Sequence, residues 1–267
     1  MTHSTFSLDA LARDVISISH EAGTLLATGF GTAFSIQSKT GRHNLVTEYD
    51  VRCEALLRDR LGALLPEAGF LGEEGGGTNT EASMQWIVDP LDGTVNFAHG
   101  IPIFCVSIAL VIDGIIVLGV IHHPLMHETF WSVRGNGAWL NGKRLGVSSV
   151  ATVHDALLVT GFPYNVQDNP DRCIEQFTMI VRQGIPVRRL GSAALDLAYL
   201  AAGRFDGFWE VRLHPWDMAA GVLLVEEAGG RVTHYGGEPF RLHHASIVAT
   251  NGLIHDELVA WLDQVQA

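Results

Sequence analysis

Residues 86–97 read WIVDPLDGTVNF, an apolar run that ends abruptly in two aspartates, a proline and a glycine. Trp86, Ile87 and Val88 fit a strand fixed in a core. Pro90 stiffens the chain where the strand gives out, and Gly93 permits a sharp turn just after it. Asp89 and Asp92, three residues apart on such a turn, can point at one place. Two like charges held that close are unfavourable unless a cation sits between them. Hard cations such as Mg²⁺ take oxygen ligands and keep several waters, so two or three carboxylates suffice for each ion. Thr94 adds a hydroxyl, and the amides of Gly93 and Thr94 lie where a helix could begin, which suits a phosphate. The plainer alternative is that both aspartates serve only as turn formers and caps.

Downstream, residues 103–121 (IFCVSIALVIDGIIVLGVI) are apolar enough to resemble a membrane span. Asp113-Gly114 interrupts them with a hairpin turn signal, so two buried antiparallel strands are expected instead. Gly and Asn turns then punctuate more strands in residues 129–145. Upstream, Leu8, Leu11, Val15, Ile18, Ala22 and Leu25 recur at three- and four-residue steps, predicting an amphipathic helix over 8–28. LVTEYD (45–50) reads as a short strand ending at Asp50. Cys53, Leu57, Leu61 and Leu64 mark a second helix over 51–65, stopped by Pro66. FLGEEGGG (70–77) ends in what reads as a flexible glycine run. From about residue 148 strands and helices alternate, as in a wound α/β half. The expectation is therefore an α+β half over 1–146 and an α/β half over 147–267, packed continuously.

The composition narrows the partners. The chain of 267 residues carries 29 Asp or Glu against 17 Lys or Arg, a net charge of −12, with 47% hydrophobic and 17% charged residues. That supports a substantial core. The basic clusters are short: Arg58–Arg60, Lys143-Arg144, and Arg182 with Arg188-Arg189. Unaided nucleic-acid binding and docking on an anionic membrane are not expected. An acidic chain that handles an anionic substrate needs positive charge from elsewhere, and metal ions would supply it. Cys53, Cys105 and Cys173 are scattered and never paired as CxxC, which points to a reducing cytoplasm rather than a disulfide framework. The first residues lack a basic and apolar leader, so a soluble cytoplasmic protein is expected.

The remaining carboxylates are weaker signals one by one. Asp50 precedes a helix and reads as an N-cap. Glu73-Glu74, before three glycines, read equally well as an exposed acidic loop. Asp217 stands at the start of a helix that Gly229-Gly230 end, where a lone aspartate is a cap. Of the 13 histidines, His123 and His127 in HHPLMH are spaced like zinc ligands on a helix. Pro124 argues against a regular helix there, and no HExxH pattern accompanies them. His243-His244 sit in a loop. No nucleophile elbow, Walker loop or GxGxxG junction is present.

Taken together, WIVDPLDGTVNF and WDMAAGVLLVEEAGG (216–230) resemble the two signature motifs of the inositol monophosphatase family. LVTEYD and GEE (72–74) match its other metal-site segments in order and spacing. The resemblance runs from the first helix to about residue 255. It implies a layered αβαβα sandwich of the inositol monophosphatase/fructose-1,6-bisphosphatase type, assembled as a homodimer. It implies two to three Mg²⁺ ions: Glu73, Asp89 and the Leu91 carbonyl on the first, Asp89, Asp92 and Asp217 on the second, and a weaker third near Glu73. Glu73, Thr94 and Asp50 become the catalytic set, with Thr94 and Asp50 orienting the attacking water. The implied substrate site comprises Asp92, Gly93, Thr94, the loop Gly191-Ser192-Ala193, Glu210 and Asp217, with Glu210 on a sugar hydroxyl. Lys39 matches a family lysine near the metals.

The implied chemistry is that of a phosphate monoester dianion, which repels an anionic nucleophile until metal ions neutralise it. Val95 stands where the family often has a second threonine. Val95-Asn96-Phe97 leans towards the inositol-phosphate branch, away from the 3′-phosphoadenosine phosphatase and histidinol phosphatase patterns. The expectation is a Mg²⁺-dependent, Li⁺-sensitive phosphatase for myo-inositol 1-phosphate. Its rivals are fructose-1,6-bisphosphatase, histidinol phosphatase or 3′-phosphoadenosine phosphatase activity, a regulatory protein that retains the metal site, and a zinc site on HHPLMH.

Overall fold

The structure, a computed structural model, describes residues 7–39, 44–244 and 246–266. Helix α1 (Leu8–Gly29) starts at Ser7, whose hydroxyl accepts from the Ala10 amide, and it buries Leu11, Val15, Ile18, Ala22 and Leu26 on one stripe. Strands β1 (Ile36–Ser38) and β2 (Leu45–Thr47) form a small antiparallel ribbon. The strand expected to run to Asp50 stops at Thr47, and α2 (Glu48–Leu64) begins at once. The reason is a reciprocal cap. Thr47 is the N-cap, and Asp50 at the third helical position accepts in turn from the Thr47 amide. The glycine run is likewise ordered: β3 (Gly69–Gly72) turns into β4 (Gly76–Thr78), with Gly72 opposite Gly76.

Six further strands complete the first sheet: β5 (Met84–Asp92), β6 (Cys105–Ile112), β7 (Ile115–His123), β8 (Glu128–Val133), β9 (Ala138–Leu140) and β10 (Lys143–Arg144). Its order is β10-β9-β8-β7-β6-β5-β3-β4, antiparallel throughout except for the β3–β5 pair. The apparent span at 103–121 is the β6–β7 hairpin. Asp113 and Gly114 both take positive φ, 50° and 79°, as its tight turn requires. Short helix α3 (Thr94–Ala98) follows β5. The second sheet is built from β11 (Leu158–Thr160), β12 (Val187–Arg188), β13 (Gly207–Val211), β14 (Arg231–Thr233) and β15 (Ser246–Thr250), in the order β12-β11-β13-β15-β14. Four helices pack around it: α4 (Cys173–Arg182), α5 (Ala193–Ala201), α6 (Pro215–Glu227) and α7 (His255–Gln266).

The pleat sorts the apolar residues into three cores between five layers. Trp86, Val88, Ile108 and Leu110 face α1 and α2, while Ile87, Ala109 and Val111 face α5 and α6. From the second sheet Val159, Phe208 and Ala249 meet α5 and α6, and Leu158, Trp209 and Val248 meet α4 and α7. This is the αβαβα sandwich. Because both faces of each sheet are covered, β6 and β7 are apolar at nearly every position, which is what made them look like a membrane span. Among the described residues no helix is long and apolar enough to cross a membrane.

The central layer is packed backbone to backbone. A β-carbon on Gly119 of β7 would stand 2.9 Å from the Ala220 carbonyl oxygen of α6. Gly62, near the end of α2, has nothing within 4 Å of that position. Gly119→Ala should therefore destabilise the fold by about 1–3 kcal/mol through overpacking. Gly62→Ala should stabilise it by about 1 kcal/mol through helix propensity. Urea unfolding of the two variants checks the opposite signs.

Candidate active site

In a regular strand, residues 89 and 92 would face opposite sides of the sheet. The register slips between them: Asp89 pairs with Ser107 and Asp92 with Cys105, so one extra residue is accommodated in β5. Both carboxylates then line one cavity of about 1420 Å³ together with Glu73, Glu210 and Asp217. Gly93 closes the turn at φ 96°, and a β-carbon there would lie 2.8 Å from the Ile103 carbonyl oxygen.

Asp89, Asp92, Asp217 and Asp50 are each tethered to a backbone amide through one oxygen. Asp89 Oδ1 accepts from the Leu91 amide at 3.0 Å. Asp92 Oδ2 accepts from Ser192 Oγ and the Ala194 amide, both at 2.7 Å, at the start of α5. Asp217 Oδ2 accepts from the His214 amide at 2.6 Å. Buried Asp50 receives Thr47 on Oδ2, through its amide at 2.7 Å and its hydroxyl at 2.6 Å. Its Oδ1 lies 2.9 Å from Thr94 Oγ, which is also 3.0 Å from the Leu91 carbonyl. The single Thr94 proton goes to one of these acceptors, leaving a lone pair of its oxygen for a donor in the cavity.

Gly191, Ser192 and Ala193 line the same cavity, and Asn96 ties them to α3 by donating to the Leu190 carbonyl at 2.8 Å. Glu210, on β13, presses its carboxylate to within 2.3 Å of where a β-carbon on Gly161 would stand. Glu73 and Glu74 both grip Lys39 Nζ, at 2.7 and 2.5 Å. Of the set expected from the sequence, Glu73, Asp89, Leu91, Asp92, Gly93, Thr94, Gly191, Ser192, Ala193, Glu210 and Asp217 line this cavity, and buried Asp50 stands behind it, hydrogen-bonded to Thr94. Asp50 and Asp217 sit at the third position of their helices rather than at the N-cap.

Buried Asp196 and exposed Tyr164 and Arg189 also line the cavity, and no motif marks them. His122 and His123 occupy successive positions of β7 and so face opposite ways, while His127 is in the turn that follows. The zinc geometry considered for HHPLMH does not form.

The cavity is hostile to its own charges. Burial, then the charges of Glu73 and Asp92, pushes Asp89 and half-buried Asp217 well above the ordinary carboxylate range. Burial raises Asp92 to about 6 against the hydrogen bonds from Ser192 and Ala194. It raises Glu210 to about 8, with Arg189 opposing and Asp92 assisting. Glu74 rises to about 7 by burial, despite Lys39. For Lys39, burial works against the charge, but Glu73 and Glu74 outweigh it and its pKa is raised.

Among the described residues no three His, Cys, Asp or Glu side chains are gathered tightly enough to hold a metal ion as they stand. Lys39 draws the Glu73 carboxylate to itself. The donor set nevertheless fits a hard divalent cation: Glu73, Asp89, Asp92 and Asp217 offer oxygen only, and a cation would relieve the burial and mutual repulsion of the three aspartates.

A model described as the inositol monophosphatase family matches residues 8–267. An inositol-1-monophosphatase of Mesorhizobium japonicum is 42% identical over 252 residues, covering 94% of this chain and 95% of that protein. A fructose-1,6-bisphosphatase/inositol-1-monophosphatase of Thermotoga maritima is 38% identical, over 94% of each. The solved structure of the extragenic suppressor protein suhB from Bartonella henselae superposes with a TM-score of 0.91 at 39% identity, covering 96% of this chain and 99% of that one.

The elevated Glu210 pKa has a consequence for stability. Its carboxyl stays protonated in the folded chain up to about pH 8, whereas the unfolded chain ionises it near its ordinary value of ~4.3. Folding takes up a proton within that window, so the contribution of Glu210 to stability falls as pH rises through it. In chelator-treated protein, Glu210→Gln should gain on the wild type by up to ~1.4 kcal/mol per pH unit between those limits. Urea unfolding at pH 5, 6, 7 and 8 measures the difference, and a pH-independent gap would contradict it.

Proposed function

Since the chain belongs to the inositol monophosphatase family, we propose that it is a Mg²⁺-dependent phosphatase acting on a small polyol phosphate monoester. Myo-inositol 1-phosphate is the first candidate substrate. The observation that carries this reading is the meeting of Glu73, Asp89, Asp92 and Asp217 around one cavity, beside the Thr94–Asp50 pair. Glu73, Asp89 and the Leu91 carbonyl would hold one ion, and Asp89, Asp92 and Asp217 a second. Bound there, Mg²⁺ supplies neutralisation of the phosphate dianion, a lowered water pKa and stabilisation of the leaving alkoxide.

The chain's own groups do the rest. Asp50 accepts the Thr94 proton and turns a lone pair of Thr94 Oγ towards the attacking water, whose proton it accepts. Asp50 is itself held by Thr47, so this pair is pre-organised. The amides of Gly93 and Thr94 receive phosphate oxygens. Across the cavity the Glu210 carboxyl offers oxygens that can hydrogen-bond substrate hydroxyls. This favours a polyol over an apolar leaving group.

Fructose 1,6-bisphosphate is the second reading, supported by the name of the Thermotoga relative and by a cavity of about 1420 Å³. Phosphate release from both substrates, histidinol phosphate and a nucleotide 3′-phosphate, compared by kcat/KM in Mg²⁺, separates the readings. Asp89→Asn should abolish nearly all turnover with an unchanged circular-dichroism spectrum, and wild-type turnover by that variant would refute the two-metal assignment. Thr94→Ala should lose roughly 10²–10⁴-fold in kcat, with Thr94→Ser retaining most of it. A wild-type protein that binds Mg²⁺ but hydrolyses nothing on the panel would favour a regulatory role.

A further inference from the structure

Helix α2 carries a second carboxylate one turn beyond Asp50, on the same face. Glu54 is only 4% exposed. Its Oε2 accepts from the Glu74 amide at 2.7 Å, and its Oε1 from the Gly75 amide at 2.8 Å. Arg58 Nη2 reaches Oε1 at 3.0 Å. The same guanidinium lies 4.1 Å over the Phe70 ring and also donates to the Gly76 carbonyl and Thr78 Oγ1, both at 3.3 Å. One carboxylate thus receives two successive amides of the β3–β4 turn, and its counter-charge is tied to both strands of that hairpin.

The turn is shaped around this carboxylate. A β-carbon on Gly72 would stand 2.4 Å from Glu54 Oε2, and one on Gly75 would stand 2.7 Å from Oε1. Gly72 and Gly75 bracket Glu73-Glu74 because any side chain there would expel the group that holds the turn. On the cavity side the Glu73 carboxylate is met by Lys39, whose Nζ donates to Oε1 at 2.7 Å. β3 holds this backbone on the Gly72 side through its pairing with β4 and β5, and on the Glu74-Gly75 side Glu54 holds it through two amides.

We propose that Glu54 is a positioning residue: by pinning the Glu74 and Gly75 amides, with Arg58 as its counter-ion, it places Glu73 for the divalent cation. The inference rests on the reading of Glu73 as a metal ligand. It concerns metal affinity, since Glu54 touches neither the cavity nor a substrate.

The test uses chelator-stripped full-length protein titrated with Mg²⁺, read by calorimetry and by the metal-induced shift in Tm. Glu54→Gln keeps the size of the side chain but presents an N–H₂ to one of the two amides. Its half-saturating Mg²⁺ concentration should rise about tenfold or more, the range for residues that orient metal ligands. Its kcat at saturating Mg²⁺ should stay close to wild type. Glu54→Asp, which keeps the charge but withdraws it by one methylene, should fall between the two and carries the test if Glu54→Gln does not fold.

Leu57→Ala, in the core of the same helix, should lower Tm without moving the Mg²⁺ midpoint. An unchanged midpoint in the Glu54 variants overturns the proposal, as does an equal shift in Leu57→Ala, which would mean that loosening α2 is enough. If the midpoints separate as expected while no phosphate ester is hydrolysed, the functional reading fails and the positioning role stands. A wild-type protein that binds no Mg²⁺ overturns both.

Discussion

Holding like charges together under a protein surface is the constraint on which the rest of this molecule turns. Asp89 and Asp92 are buried and Asp217 half-buried around one cavity, and each is disfavoured as an anion by burial and by the charge of Glu73. Flexible side chains would swing apart. Here each is tethered through one oxygen to a backbone amide: Asp89 to Leu91, Asp92 to Ala194, Asp217 to His214, and Asp50 to Thr47. Amides in turns and first helical turns are fixed donors that cost no side-chain entropy, and they favour negative charge. The second oxygen of each aspartate is left for other work.

The five-layer sandwich supplies the rigidity those tethers need. β5 is clamped between β3 and β6, and its two faces lie in different cores. Its bulge therefore has little freedom to relax and the positions of Asp89 and Asp92 are set. α5 and α6, whose first turns hold Asp92 and carry Asp217, are packed between the two sheets. The close approach of Ala220 to Gly119 fixes the height of α6 against β7. Core packing and site geometry are thus one problem.

Much of this was legible in the residues, for definite reasons. The Asp-Pro-Leu-Asp-Gly run announces a broken strand end, because Pro90 and Gly93 act on the backbone whatever their surroundings. The Asp113-Gly114 turn turned an apparent membrane span into a hairpin for the same reason. What escaped were features decided by tertiary partners. The glycines at 75–77 read as flexible, yet Gly76 and Gly77 pair with β3, and Glu54 and Arg58 hold Gly75 and occupy the space its side chain would need. Asp196, Arg189 and Tyr164 reach the cavity from separate elements and leave no local pattern. Glu54 was visible only as a helical residue, although its spacing of four from Asp50 placed both on one face.

Asp50 and Asp217 show why weighing a cap against a functional role was the wrong opposition. Neither is the N-cap, but each closes a capping box from the third helical position by accepting the amide of the residue three before it. A carboxylate has two oxygens and about four acceptor positions, and a cap uses only some of them. In Asp50 the remaining oxygen meets Thr94; in Asp217 the side chain still lines the cavity. Capping fixes the rotamer and anchors the charge at the positive end of a helix, and a site group needs both. A lone acidic residue at a helix start is therefore not made bland by being a cap. What separates a bland cap from one that belongs to a site is whether other elements converge on the same space: Asp217 of α6 lines the cavity, and Asp50 of α2 meets Thr94, which lines it too.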